Sequence, residues 1–321
     1  MGSKILRRLS HMGAVLLILS AALYYLLGLM PGDPVDLLIT SRPHITAEDI
    51  AHLRRLYGLD DPIYLRYFKW VRQVVFEGDL GFSRVYKRPT GEILLNRVVN
   101  TFRLMGAAFL LSLLIAIPAG IYSALRQYSL FDYASNLGAF VGISIPAFWL
   151  GLMTLILFAE ILGWFPAGGM GSLGGGGLGD RLWYLTLPAV VLSVESVGRW
   201  TRYMRSSLFE VLRKDYIRTA RAKGLGERAV IGRHALRNAS LPMITILSLS
   251  IPELFSGALI TETIFAWPGM GRLLYDSVIL TDYYVAMMAF MAIAVLTLFF
   301  NLLADLAYGW ADPRVRQEGV A

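Results

Sequence analysis

Cysteine is absent from the 321-residue sequence. That excludes a disulfide framework, a thiolate metal site and a cysteine nucleophile, and it leaves the redox compartment unread. Histidine is scarce: His11, His44, His52 and His234 stand apart, without the spacing of metal ligands, so no built-in metal centre is expected. Charge is thin as well, at 17% of residues against about a quarter in soluble domains. No Gly-Lys-Ser/Thr closes any glycine-rich run, so the chain lacks a phosphate-binding loop and is expected not to hydrolyse ATP by itself. The glycines of 168–179, eight in twelve positions, hold no basic residue among them and read as a flexible linker.

What is abundant is apolar. Hydrophobic residues make up 56% of the chain and the mean hydropathy is +0.55. Crossing a ~30 Å hydrocarbon core takes about 20 residues. Runs of that order lie at 12–30, 102–124, 137–162, 183–200, 242–262 and 284–308. The expected fold is therefore an all-α membrane protein of six transmembrane helices. The first run follows Lys4, Arg7 and Arg8 and resembles a signal peptide in outline, but it is long enough to span and is read as a retained helix. Four segments follow: 1–30, an N-terminal tip and first helix; 31–101, a small extracytoplasmic subdomain; 102–308, a five-helix core; and 309–321, a tail. Within the second, Thr46-Ala-Glu-Asp49 reads as a capping box opening a helix toward Leu56, ended by Gly58.

The basic residues are concentrated in one place. From Arg199 to Arg237 there are eleven Lys and Arg against three acids, while the whole chain carries a net charge of only +7. Cations beside membrane spans are retained on the cytoplasmic side, so this loop and, with six spans, both termini are expected there. Nucleic acid is a poor candidate partner for charge placed between spans, where anionic lipid or a docked protein is at hand. Leu208, Val211, Leu212 and Tyr216 form a helical stripe that ends near Gly224, and a second pattern (Val230, Ile231, Ala235) runs from Glu227. Helix, glycine turn, helix is the result. It suits either an interfacial pair lying on lipid or a protein dock.

The segment Asp215-Tyr-Ile-Arg-Thr-Ala-Arg-Ala-Lys-Gly-Leu225, with Arg233-His-Ala-Leu-Arg-Asn238 after it, resembles the cytoplasmic loop of the dipeptide, oligopeptide and nickel branch of ABC-importer permeases. Arg218 stands where the general signature has Glu and Thr219 where it has its first Ala; Ala220 and Gly224 are kept. Further matches follow the same order along nearly the whole chain: Pro31-Gly-Asp-Pro34, Tyr57-Gly-Leu-Asp60, Gly78-Asp-Leu-Gly81, Ser144-Ile-Pro-Ala-Phe148, Gly163-Trp-Phe-Pro166, Glu262-Thr-Ile-Phe-Ala-Trp-Pro-Gly-Met-Gly271 and Asp312-Pro-Arg314.

The resemblance implies the type I importer permease fold in a bacterial or archaeal inner membrane. It implies a pore-forming, non-enzymatic subunit passing peptides, with nickel or another small solute as the alternative cargo. It implies as partners a second homologous permease chain, two subunits that bind ATP and Mg, and an extracytoplasmic substrate-binding protein. Within the loop 199–241 it implies an ATPase-coupling site of Asp215, Arg218, Thr219, Ala220, Arg221, Ala222, Lys223, Gly224 and Leu225, with Ala220 and Gly224 packed on the ATPase.

Acids inside apolar runs are costly and ask for a role. Glu195 and Asp305 are the candidate pathway residues, and with Glu160 and Glu253 they supply the rival reading, an ion-coupled secondary transporter. Trp149, Trp164, Phe165, Trp183 and Trp267 fall near outer ends of spans, where Trp commonly anchors the interface and could also line a path. Pro118, Pro146, Pro188 and Pro252 mark candidate kinks.

Overall fold

The computed structural model describes residues 2–29, 46, 48–49, 60–172, 174–253 and 258–311, and for 2–5 and 305–311 the backbone alone. The expectations at Pro31-Gly-Asp-Pro34, Tyr57 to Leu59, Asp312-Pro-Arg314 and the side chain of Asp305 lie outside the described residues. At Thr46 the capping box is present: the Asp49 amide donates to Thr46 Oγ1 at 3.2 Å, and the Thr46 amide donates back to the Asp49 carboxylate at 3.2 Å. The remainder of that helix is outside the described residues.

Two compact units divide the chain. The first comprises Met1–Arg97 and Leu273–Leu298. In it α1 (Gly2–Gly28) packs on α2 (Ile63–Phe76), where Ser20 Oγ and the Tyr67 hydroxyl share a hydrogen bond of 2.9 Å and Tyr24 meets Tyr67 edge-on at 5.7 Å. Only 6% of the apolar stretch of α1 is buried against the rest of the described chain. A small hairpin of β1 (Phe82–Ser83) and β2 (Arg88–Pro89) closes on Asp282. The fully buried Ser83 hydroxyl donates to that carboxylate at 2.6 Å and the Val85 amide donates to it at 3.3 Å.

The second unit comprises Val98–Arg272 and Phe299–Ala321. It contains most of α3 (Thr90–Leu125), then α4 (Leu130–Ser144), α5 (Ala147–Leu155) and α6 (Leu178–Leu212). Ser129 caps α4 by accepting the Asp132 amide at 3.2 Å. The apolar run 137–162 was expected as one helix. It is instead two, bent by 100°, because Pro146 lacks an N–H and drives Ile145 into extended backbone (φ −79°, ψ 124°). Past the bend, α5 loosens into a π-helical turn at Ile156–Ile161. Pro118 and Pro188, by contrast, lie inside the unbroken α3 and α6.

Among the described residues three helices are long and apolar enough to cross a membrane (Leu6–Gly28, Thr90–Leu125, Tyr283–Ala304), and the bent pair, counted as one span, is a fourth. The expected run 183–200 lies within α6, and 242–262 is shared by α9 (Leu236–Ser250) and α10 (Leu259–Ile264). Beyond them come α11 (Met270–Ile279) and α12 (Tyr283–Ala311). The core of the second unit gathers on α6: Trp200, Met204 and Leu208 meet Ala116 and Ala124 of α3 and Ala239 and Met243 of α9. Burying Leu208 and Met204 this fully is worth about 1.5–3 kcal/mol each.

Candidate functional site

Between α6 and α9 the chain makes a compact excursion. Arg213 and Lys214 end α6, and Lys214 turns extended (φ −71°, ψ 148°) to open α7 (Asp215–Ala222). Asp215 in its first turn and Arg221 in its last oppose the helix dipole in the favourable sense. The break resets the helical register, so Tyr216, expected in the buried stripe, is exposed, and Ile217 takes its place at 0% exposure. Ala220, expected against an ATPase, faces the same way: with Ile217 it joins the chain's own core beside Met204 and Leu208. The outward face is left to Asp215, Tyr216, Arg218, Thr219, Ala222 and Lys223.

The stop signal is a glycine turn. Gly224 has φ +80°, a backbone that costs a side-chain-bearing residue about 1–2 kcal/mol. Its amide donates to the Arg221 carbonyl at 2.9 Å, and the Leu225 amide donates to the Ala220 carbonyl at 3.4 Å, so the last carbonyls of α7 are satisfied. A Cβ at Gly224 would meet nothing within 4 Å, so only the backbone conformation selects glycine here. Leu225 follows, exposed at 42%.

A fork of charge clamps the turn. Arg221 donates to both carboxylate oxygens of Glu227, at 3.1 and 2.6 Å, and this pairing holds the Glu227 carboxyl below its usual range and lifts the Arg221 guanidinium. From Glu227 the chain enters the short α8 (Glu227–Ala229) and a π-helical turn, Val230–Ala235, whose two end residues are fully buried in the same core. Other cations of the loop are engaged within it: Arg213 lies 3.9 Å over the Phe209 ring, Lys214 pairs with Glu210 at 2.8 Å, and Arg218 lies 3.4 Å from Asp215. The result is a short, stiff prominence with small and charged groups outward, able to enter a cleft in another protein.

Of the candidate pathway residues, Glu195 is exposed and paired with Arg199 at 3.2 Å, one helical turn away. Glu160 sits exposed on the π turn after α5. Of the aromatic candidates, Trp149, Trp164 and Trp183 are exposed, and Phe165 stacks on Trp183 at 4.5 Å. Trp267 is different: it is 2% exposed and its indole donates to the Asn100 carbonyl at 3.0 Å, so it is a packing residue.

Two constellations escaped the sequence reading. Asp132 on α4, nearly buried, takes Arg205 of α6 in a two-pronged pair at 2.6 and 2.7 Å, a tie across 73 positions that no local spacing reveals. The other centres on Glu262, which is wholly buried on α10. Thr101 of α3 donates to its Oε1 at 2.7 Å and the Arg272 amide to its Oε2 at 3.0 Å. The same Thr101 hydroxyl accepts the Met270 amide at 2.7 Å, while the Trp267 amide donates to the Glu262 carbonyl at 2.8 Å. A Cβ on Gly269 would overlap the carboxylate, and one on Gly271 would stand 2.6 Å from Leu259 Cα. The run Trp267-Pro-Gly-Met-Gly271 is thus spelled for wrapping a buried acid, and its glycines were the available clue.

The model of the "binding-protein-dependent transport system inner membrane component" matches residues 116–317, and that of the N-terminal part of such components matches 1–91. The chain belongs to this family of membrane permeases. The permease is 42% identical over 317 residues to the oligopeptide transport system permease AppB of Bacillus subtilis, covering 98% of this chain and 99% of that one. It is 35% identical over 336 residues to the dipeptide transport system permease DppB of Escherichia coli K12, covering 98% of both. Among solved structures, the fold resembles that of the MetNI methionine ABC transporter in inward-facing conformations, with TM-score 0.54, 16% identity, and 68% of this chain and 96% of that one covered. It also resembles an amino acid ABC transporter (TM-score 0.52, 14% identity, 68% and 94% covered). The permease therefore has the type I importer fold, and the ion-coupled carrier reading of Glu195 and Asp305 is set aside.

Proposed function

We propose that this permease carries peptides across a bacterial or archaeal inner membrane, and that the outward face of α7 with the Gly224 turn seats an ATP-hydrolysing partner subunit. The observation that carries the second part is the division of α7 into two faces. Ile217 and Ala220 fasten it to the core of α6, while the small Thr219 and Ala222, with Lys223, are exposed on the outward side. Relatives named as peptide permeases over nearly the whole length support the cargo, and peptides are preferred to nickel on that ground. The complex completes itself with a second permease chain, two subunits binding ATP and Mg, and an external binding protein. In this reading both termini and the loop 199–241 are cytoplasmic, following the Lys and Arg excess.

Lipid contact is the competing role for a basic, amphipathic excursion. Replacing Ala222 by Trp tests the dock, because Ala222 is exposed and its enlargement leaves Ile217 and Ala220 undisturbed. The expected outcome is a folded permease that still purifies with its sister chain but no longer retains the ATPase subunits. Retention of the ATPases at wild-type stoichiometry, with uptake intact, would remove the docking role of α7.

A further inference from the structure

The glycine-rich loop and the buried Glu262 are joined. The Gly169 amide donates to the Phe265 carbonyl at 2.9 Å, and a Cβ on Gly168 would stand 2.7 Å from that oxygen. Met170 packs on the cluster of Leu104, Ala108, Ala189 and Trp267. The loop therefore starts from a fixed point rather than swinging as a linker. Thr101, which the knot holds, lies two residues before Arg103.

Beside this anchor lies an open cavity of about 290 Å³, lined by Arg103 of α3 and Arg181 of α6, both exposed, with Met170, Ser172 and the loop glycines. Among the described residues neither guanidinium has an ion pair or a hydrogen-bond acceptor. The neighbouring acid is already engaged: Asp180 takes the Ser172 amide at 2.8 Å and the Ser172 hydroxyl at 2.7 Å, which holds its carboxyl below the ordinary range. Two arginines against one occupied carboxylate leave one positive charge unmatched. In the orientation proposed above, Arg181 stands in the outer first turn of α6 and Arg103 at the outer end of the apolar stretch of α3. Retention of cations on the cytoplasmic side does not explain them there.

We infer that this cavity is a subsite for one carboxylate, the C-terminal carboxylate of the peptide cargo, an inference that rests on the peptide reading. A carrier of many sequences can read only what every peptide shares, its backbone and its charged ends. The loop suits that task, offering main chain with few side chains beside two positive charges. The volume lies at the bottom of the range of ligand pockets, enough for the end of a peptide and not for its length.

The test uses the whole transporter in proteoliposomes, with saturating binding protein preloaded with either trialanine or trialanine amide, so that capture does not enter the comparison. The wild type is expected to import the free acid about tenfold faster than the amide, the scale of a charge-assisted contact. The double variant Arg103→Gln, Arg181→Gln should bring that ratio near one by slowing the acid alone, and Arg→Lys at both positions should keep most of it. Equal slowing of both cargoes, or an unchanged ratio in the Gln variant, overturns the subsite. So does a rise in the binding-protein concentration needed for half-maximal uptake that is the same for both, since the arginines would then be meeting an acid on that protein. Should the double variant fail to assemble, the wild-type ratio decides, and a ratio of one overturns the proposal. Failure of the wild type to import trialanine in either form would instead remove the peptide reading, and the subsite with it.

Discussion

Single atoms decide much at Glu262. A carboxylate with no solvent exposure takes hydrogen bonds from the Thr101 hydroxyl and the Arg272 amide, and glycines stand at 269 and 271 because nothing larger fits. Glu262→Ala leaves both donors unmatched, at about 1–3 kcal/mol for each buried group. The expected result is a lower thermal midpoint in detergent and faster proteolysis between Phe265 and Arg272, with Glu262→Gln intermediate because its amide still accepts one bond. An unchanged midpoint in the Ala variant would mean that the knot holds nothing. At this scale the sequence was legible in part. Gly224 could be read as a turn because its neighbours carried a helical stripe. Glu262 could not, because its side-chain partner lies 161 positions away at Thr101 and its burial leaves no periodic trace. Asp132 was hidden for the same reason, since its partner belongs to another helix.

Among the elements, α7 depends most on charge. The Glu227 carboxyl sits below its unfolded value of about 4.3, so the pair with Arg221 stabilises the turn above that pH and is lost as pH falls through the lowered folded value. Hydrogen exchange of the amides of 220–227, corrected for intrinsic rates, should therefore be slow at neutral pH and accelerate below about pH 4. Glu227→Gln should show the faster exchange already at pH 7; identical protection in the variant would leave the clamp without effect. Elements were foreseen unevenly. Helix, glycine turn and helix were legible between 208 and 236, but the side that α7 buries was not, since the break at Lys214 shifts the register by one residue and exchanges Tyr216 for Ile217. The bend at Pro146 was announced by its proline, whereas Pro118 and Pro188 gave the same signal inside unbroken helices.

For the whole molecule, the apolar runs and their order were visible in composition alone, and the family follows from motifs spread along the chain. Orientation is the property that remains to be measured, and the absence of cysteine makes the measurement clean. A cysteine at the exposed Leu178 should react with an impermeant maleimide added to intact cells, and one at the exposed Lys223 only after the membrane is opened. The reverse pattern would invert the topology and leave α7 facing away from any ATPase.

Ile217 and Ala220 also have a mechanical meaning. They bolt an eight-residue helix to the side of one of 35 residues, which at 1.5 Å per residue is a beam of about 50 Å. A load applied to the exposed face of the short helix has no slack segment in which to dissipate. It arrives at the beam off its axis, as torque.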